Sequence, residues 1–392
     1  MGRRATQPLR TCWSGVREAG PTVGGPREKR VIELCRGVRE AGPTVGGPRE
    51  KRVIELCRGV REAGPTVGGL RKVLVGSALA LVAHALTGCV GKTTDSTAPI
   101  DIRSPGTWTA LAPMPTARQE VAAAALGGRL FVIGGLGAIG EPVATVEVYD
   151  PATDRWETRA PLPAPTHHAA AAGLDGRLFV AGGFTGRVSW TALATVYEYD
   201  EARNSWSTRA PLRTPRGALA VVALGGRLHA VGGAADRVTS AHEVYDPAAD
   251  RWSVAPPLPT ARDHLAAVVF EGKLWAIGGR DAFVGRQHAV VEIYEPATDS
   301  WSTGTPLPTG RGGLAAAAVG GRVFVFGGEA PFRIWNATEM YDRAIDTWVA
   351  KAPMPTARHG IGAAVVGDRI YVLGGGTEPG FAATDVTEVF IP

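Results

Sequence analysis

Cysteine is scarce in this chain of 392 residues. There are four, Cys12, Cys35, Cys57 and Cys89, and none follows position 89. The body of the molecule therefore has neither a disulfide nor a thiol nucleophile. Cys35 and Cys57 are copies of one residue in a duplicated segment, so the even count does not imply pairing. No run is long enough for a comfortable membrane span: the largely apolar stretch Val73–Leu86 is 14 residues long, against the ~20 a spanning helix needs. Basic charge is also lacking where it would matter. Of 42 Lys+Arg and 37 Asp+Glu, 16 and 7 precede residue 89, leaving 26 and 30 and a net charge of −4 for the rest. That balance gives no electrostatic reason to expect a nucleic acid partner. No phosphate-cradling loop, Ser-His-Asp arrangement or calcium-loop spacing is present. What is abundant is turn chemistry: 52 Gly and 29 Pro exclude a helical protein and suit many short strands.

The N-terminal part has its own character. Gly15–Arg36 is repeated letter for letter in Gly37–Arg58, and Gly59–Gly69 begins a third copy. Each copy holds one short apolar run between Gly/Pro and charged stretches, too little to bury a core, so residues 1–70 read as disordered. The identity of the copies points to a recent DNA duplication and to an over-extended gene start, with translation beginning near Val67 or Leu70. Residues 71–88 read as a secretory signal: the basic pair Arg71-Lys72, the apolar Val73–Leu86, then small residues. Leu86-Thr87-Gly88-Cys89 resembles the lipobox of bacterial lipoproteins, which implies lipid on Cys89 and a tether over 89–107. Val90 beside that cysteine is not Asp, and by the same resemblance this implies an outer-membrane or cell-surface address.

Residues 108–392 repeat with a period near 48. Glycine pairs stand at Gly134-Gly135, Gly182-Gly183, Gly232-Gly233, Gly278-Gly279, Gly327-Gly328 and Gly374-Gly375. Trp108, Trp156, Trp206, Trp252, Trp301 and Trp348 keep step with them, and Tyr149, Tyr199, Tyr245, Tyr294 and Tyr341 each stand seven residues before a Trp, with Phe390 in the sixth place. In the first copy Glu120–Leu126 reads as a crowded innermost strand, Arg129–Ile133 as the second, Val146–Tyr149 as the third, and Trp156 opens the outermost. This pattern resembles the Kelch repeat, and six copies imply an all-β, six-bladed Kelch-type β-propeller. The chain enters on a Trp strand and leaves on a Tyr-type strand, Glu388–Ile391, so the Trp108 strand is expected to close the ring by completing the last blade.

Strand order sorts the loops onto two faces. The second-to-third loops and the blade-to-blade crossovers share one, the crossover face. Counting back 16 residues from each glycine pair gives Arg118, Thr166, Arg216, Arg262, Arg311 and Arg358, which places five arginines around the channel mouth. Glu120, His168, Asp263, His264 and His359 are near, and Phe184, Arg187, Trp190, Arg280, Phe283, Phe332, Arg333 and Trp335 lie in the loops. Asp150, Asp154, Asp200, Asp246, Asp250, Asp299, Asp342 and Asp346 lie on the opposite face and read as turn caps. His167-His168 invites a metal reading, but spacing supplies no third ligand, and no metal, cofactor or catalytic residue is assigned.

Two functions stay open. The first is a lipid-anchored binding module that takes a protein, an acidic peptide or a glycan on the crossover face, with Arg118, Glu120, His168, Arg216, Arg262, His264, Arg311, Arg358, Trp190 and Trp335 as contact residues. The second is a carbohydrate-active enzyme. The galactose oxidase relatives of the fold use a Tyr–Cys crosslink, which a cysteine-free propeller cannot form. Resemblance to the periplasmic sialic-acid mutarotase implies an acid/base group beside arginine, for which Glu120, His168 and His264 are available.

Overall fold

A computed structural model describes residues 101, 103–281 and 285–392. The tandem repeat, the signal-like run, Cys89 and Phe283 lie outside the described residues. Described residues form six four-stranded antiparallel sheets arranged as the blades of a propeller. Blade 1 comprises Ala122–Leu126, Arg129–Ile133, Val146–Asp150 and Arg155–Arg159, and the same order recurs in blades 2 to 5. Blade 6 is built from Gly362–Val366, Arg369–Leu373 and Thr387–Ile391, and its outer strand is Thr107–Ala110 from the other end of the chain. Trp108 pairs with Phe390 in that ladder, as the Trp-to-Tyr register requires.

Residue choice follows radial position. The innermost strands are small and apolar, AAAAL in blade 1 and AAAAV in blade 5. Crowding around the axis leaves no room for more: a Cβ on Gly362 would lie 2.4 Å from that of Ala123. The second strands, such as RLFVI and RVFVF, are buried on both faces after their first residue, which explains unbroken apolar runs in an antiparallel sheet. The cores lie between adjacent blades. Phe131 and Val148 of blade 1 pack with Leu178 and Tyr199 of blade 2. Phe324 and Phe326 of blade 5 pack with Phe390 of blade 6, and Trp108 covers them.

Two sets of hydrogen bonds run around the whole ring. Each outer-strand indole donates to a crossover carbonyl: Trp108 to Ala352, Trp156 to Ala112, Trp206 to Ala160, Trp252 to Ala210, Trp301 to Pro256 and Trp348 to Thr305, all at 2.8–2.9 Å. The second glycine of each pair donates its N–H to a carbonyl of the next blade; Gly135 to Thr166 at 2.9 Å and Gly375 to Arg118 at 2.8 Å are examples. Its predecessor is also tied to this junction, since a Cβ on Gly134 would sit 2.3 Å from the Thr166 carbonyl. The paired glycines are therefore the seams between blades.

The turn aspartates act as caps, as read from sequence. Tyr149 donates its hydroxyl to Asp154 at 2.6 Å, and Asp154 also accepts the Ala112 N–H at 2.9 Å. Those two bonds hold the Asp154 carboxyl below its ordinary range. One strand boundary differs from expectation. The innermost strand of blade 1 begins at Ala122 and not at Glu120, because Glu120 adopts a left-handed backbone with φ of 53°.

Candidate functional site on the propeller axis

The five arginines do not ring the channel mouth. Arg118, Arg216, Arg262, Arg311 and Arg358 are each 0% exposed. Every one turns into its own blade and pairs with a third-strand glutamate: Glu147, Glu243, Glu292, Glu339 and Glu388, at 2.5–2.8 Å. Other guanidinium donors go to backbone carbonyls: Arg216 donates to Thr214, Ala230 and Gly232, and Arg358 to Gly374 and Val386. Burial pulls the pKa of Arg118, Arg216, Arg262 and Arg358 downward against the pull of their glutamates. These groups brace the blades, which corrects the expectation that they contact a ligand. Blade 2 supports this independently. It lacks the arginine, with Thr166 in its place, and it lacks the glutamate as well, since Tyr197 stands two residues before Tyr199. Both partners are missing from the same blade, as a structural pair demands.

Two residues beyond each arginine position, the chain reaches the axis. These six positions are Glu120, His168, Ala218, His264, Gly313 and Gly360, and all have φ between 50° and 62°. They form a closed circuit. Glu120 donates its N–H to Gly360, Gly360 to Gly313, Gly313 to His264, His264 to Ala218, Ala218 to His168, and His168 back to Glu120, at 2.8–3.0 Å. Four of the six are not glycine, at roughly 1 kcal/mol of backbone strain each. The blade-to-blade bonds hold that conformation in place.

The circuit brings Glu120, His168 and His264 together from blades 1, 2 and 4. Glu120 Oε2 lies 3.3 Å from His168 Nε2 and 4.0 Å from His264 Nε2. On its other oxygen, Glu120 lies 3.4 Å from His359 Nδ1. A second layer supports them. His167 Nδ1 lies 2.6 Å from His168 Nδ1, and Asp263 lies 2.9 Å from His264 Nδ1. Arg280 Nη2 contacts His264 Nε2 at 2.9 Å and pairs with Glu329. His264 therefore accepts at Nε2 and donates from Nδ1 to Asp263. These side chains are buried, with that of His264 7% exposed.

Charge in the cluster is divided unevenly. Burial alone would raise the Glu120 carboxyl, but His168, His359 and His264 together hold it well below the carboxylate range. Burial pushes His168 well below the ordinary imidazole value and His167 down to about 4. His359 goes the other way: burial opposes its proton, but Glu120 and Glu329 override it and raise the pKa. Glu120 and His359 thus shift in the directions of an ion pair that stabilises both charges, while burial disfavours a charge on His168.

Among the sequence candidates, Glu120, His168 and His264 converge, and Trp190 joins them from above with its ring 4.8 Å from both His167 and His168. Trp335 stands on the rim with the Arg333 guanidinium 3.7 Å over its ring. Sequence reasoning passed over Glu329 and left Arg280 among general loop residues. Their shared signal was available: both directly follow a glycine pair, where the chain bridges back to the axis, Arg280 to Asp263 and Glu329 to Gly312.

The cavity over the circuit measures about 100 Å³ and is lined by Glu120, His168, Ala218, His264, Gly313 and Gly360 together with the residue that follows each. Around it, Ile139, Val188, Trp190, Phe332 and Phe381 stay exposed on the crossover loops of blades 1, 2, 5 and 6. The loops of blades 6, 1 and 2 form a continuous arc. Phe381 lies against Gly140, and Arg187 donates to the Ile139 carbonyl at 2.8 Å.

Residues 106–279 match the KLHDC2/KLHL20/DRC7 Kelch-repeats domain, and residues 261–308 match the Kelch motif. No curated protein matches the sequence. A solved structure, that of YjhT, superposes with a TM-score of 0.62 at 19% identity, covering 70% of this chain and 95% of the other. At that identity the likeness concerns the fold alone.

Proposed function

Given that the chain belongs to the Kelch-repeat propeller family, we propose that it is a binding module whose crossover face takes a polypeptide segment with apolar side chains. The observation that carries this reading is the arc of exposed Ile139, Val188, Trp190, Phe332 and Phe381 around a polar centre. The five strand-head arginines do not hold an acidic peptide, because they are internal to the blades. The central cluster instead sets Glu120, Asp263 and Glu329 against Arg280 and His359, a polar floor that suits a hydroxyl at the tip of the segment.

Cavity size weighs against the enzyme reading. Small-molecule sites occupy roughly 300–1,000 Å³. The axial cavity, at about 100 Å³, is too small to enclose a sugar ring in this conformation. Panning a peptide display library against the protein should enrich apolar sequences, and the combined Trp190→Ala, Phe381→Ala variant should bind them at least ~10-fold more weakly. Enriched peptides that bind the variant as tightly as the parent, or a glycan array that lights up where peptides do not, would defeat the reading.

On the same reading the propeller hangs from a membrane by lipid on Cys89. Support comes from the order of basic pair, apolar run and Leu86-Thr87-Gly88-Cys89 in the sequence. Cys89→Ser should shift the protein from the detergent phase to the aqueous phase in a phase-partition assay. Unchanged partition would remove the anchor from the proposal.

A further inference from the structure

We propose that Glu120, His168 and His264 form a site for a divalent first-row transition ion on the propeller axis. The inference does not depend on what the rim binds.

Convergence comes from the backbone. The three residues occupy equivalent positions of the hydrogen-bonded circuit with nearly the same left-handed φ, so their side chains are delivered to one place. Their ligand atoms all lie within 4.8 Å of one another. Bonds of about 2.0–2.1 Å in a tetrahedral shell put neighbouring ligand atoms about 3.4 Å apart. Glu120 and His168 stand at 3.3 Å, Glu120 and His264 at 4.0 Å, and all three atoms within 4.8 Å, so His264 has to move inward by more than half an ångström to complete the shell. The remaining circuit positions are Ala218, Gly313 and Gly360, whose small side chains leave the open side for water or an incoming donor atom.

The supporting layer is the kind that metal-binding histidines use. His264 gives its Nδ1 proton to Asp263, which presents Nε2 as the lone-pair donor. Arg280 is the competitor, since its Nη2 now occupies the His264 Nε2 lone pair. An ion displaces that one contact while Arg280 keeps Glu329 and Asp263. The donor set of two imidazoles and one carboxylate, with open positions, fits zinc or another first-row divalent ion better than calcium or magnesium.

The test uses the full chain with its four cysteines alkylated, so that thiolates do not compete. Titration with Zn²⁺ against a chromogenic chelator should show one equivalent bound at micromolar affinity or tighter. Glu120→Gln and His168→Gln should each weaken binding by about 100-fold or more, and Asp263→Asn, which acts through His264, by about 10-fold or more. Loading the unmutated protein with Cu²⁺ gives a readout that no variant's folding can confound. Electron spin-echo modulation should report two bound imidazoles. Failure to bind an equivalent, an affinity unchanged in Glu120→Gln, or any number of imidazoles other than two would overturn the proposal.

Discussion

Arg262→Thr should cost the propeller about 3–5 kcal/mol of stability, and adding Glu292→Tyr should restore at least half of it. The first figure follows from removing one partner of a buried ion pair. Arg262 is 0% exposed and Glu292 2%. Without the guanidinium, Glu292 keeps its hydrogen bond from Thr260 but loses its counter-charge. The carbonyls of Thr260, Ala276 and Gly278 lose their donor in the same step. The recovery follows from blade 2 of the same molecule, which has Thr166 and Tyr197 at these two places and folds as a four-stranded blade. Replacing both charges removes the uncompensated carboxylate and fills its space with a ring. Urea unfolding of the two single variants and the double variant measures the coupling directly. A double variant no more stable than Arg262→Thr alone would show that blade 2 solves the problem by means other than this pair.

Removal of residues 100–112 should replace the single cooperative unfolding transition by broader unfolding that begins about 10 °C or more lower. The lost strand supplies the outer edge of blade 6, where Thr107–Ala110 pairs with Glu388–Ile391. Trp108 lies 5.0 Å from the Phe390 ring and 5.6 Å from that of Phe326, and its indole bonds to Ala352 of blade 5. Deletion uncovers Phe390, leaves the backbone of Thr387–Ile391 as a free edge and breaks the circuit of indole bonds at two points, Trp108 to Ala352 and Trp156 to Ala112. Since each blade is stabilised largely by its neighbours, one open junction weakens both flanking blades. Scanning calorimetry reads the outcome. A single transition at the parent temperature would count against closure by this strand.

Each level of the molecule was legible to a different depth. The spacing of glycine pairs, tryptophans and tyrosines determined the number of blades, the radial order of strands and the register in which Trp108 meets Phe390. Those features are periodic and local, so they survive in one dimension. The caps at Asp154 and its equivalents were readable for the same reason, because a turn aspartate bonds groups a few residues away. Position along the chain also put the arginines correctly at the head of each innermost strand.

The direction of the arginine side chains was not legible from that offset. Each pairs with a glutamate 27 to 30 residues further on, across two strands of its own blade. The trace of this pairing in the sequence is that arginine and glutamate occur together in five blades and are replaced together, by Thr166 and Tyr197, in blade 2. Glu120, His168 and His264 were visible as candidates, but their meeting depends on six left-handed residues bonded head to tail around the axis. That circuit joins all six blades, so its geometry exists only once the ring has closed. The sequence by itself determined the propeller and its closing strand. The tertiary structure decided that the arginines hold the blades from within, and that a glutamate and two histidines face one another at the centre.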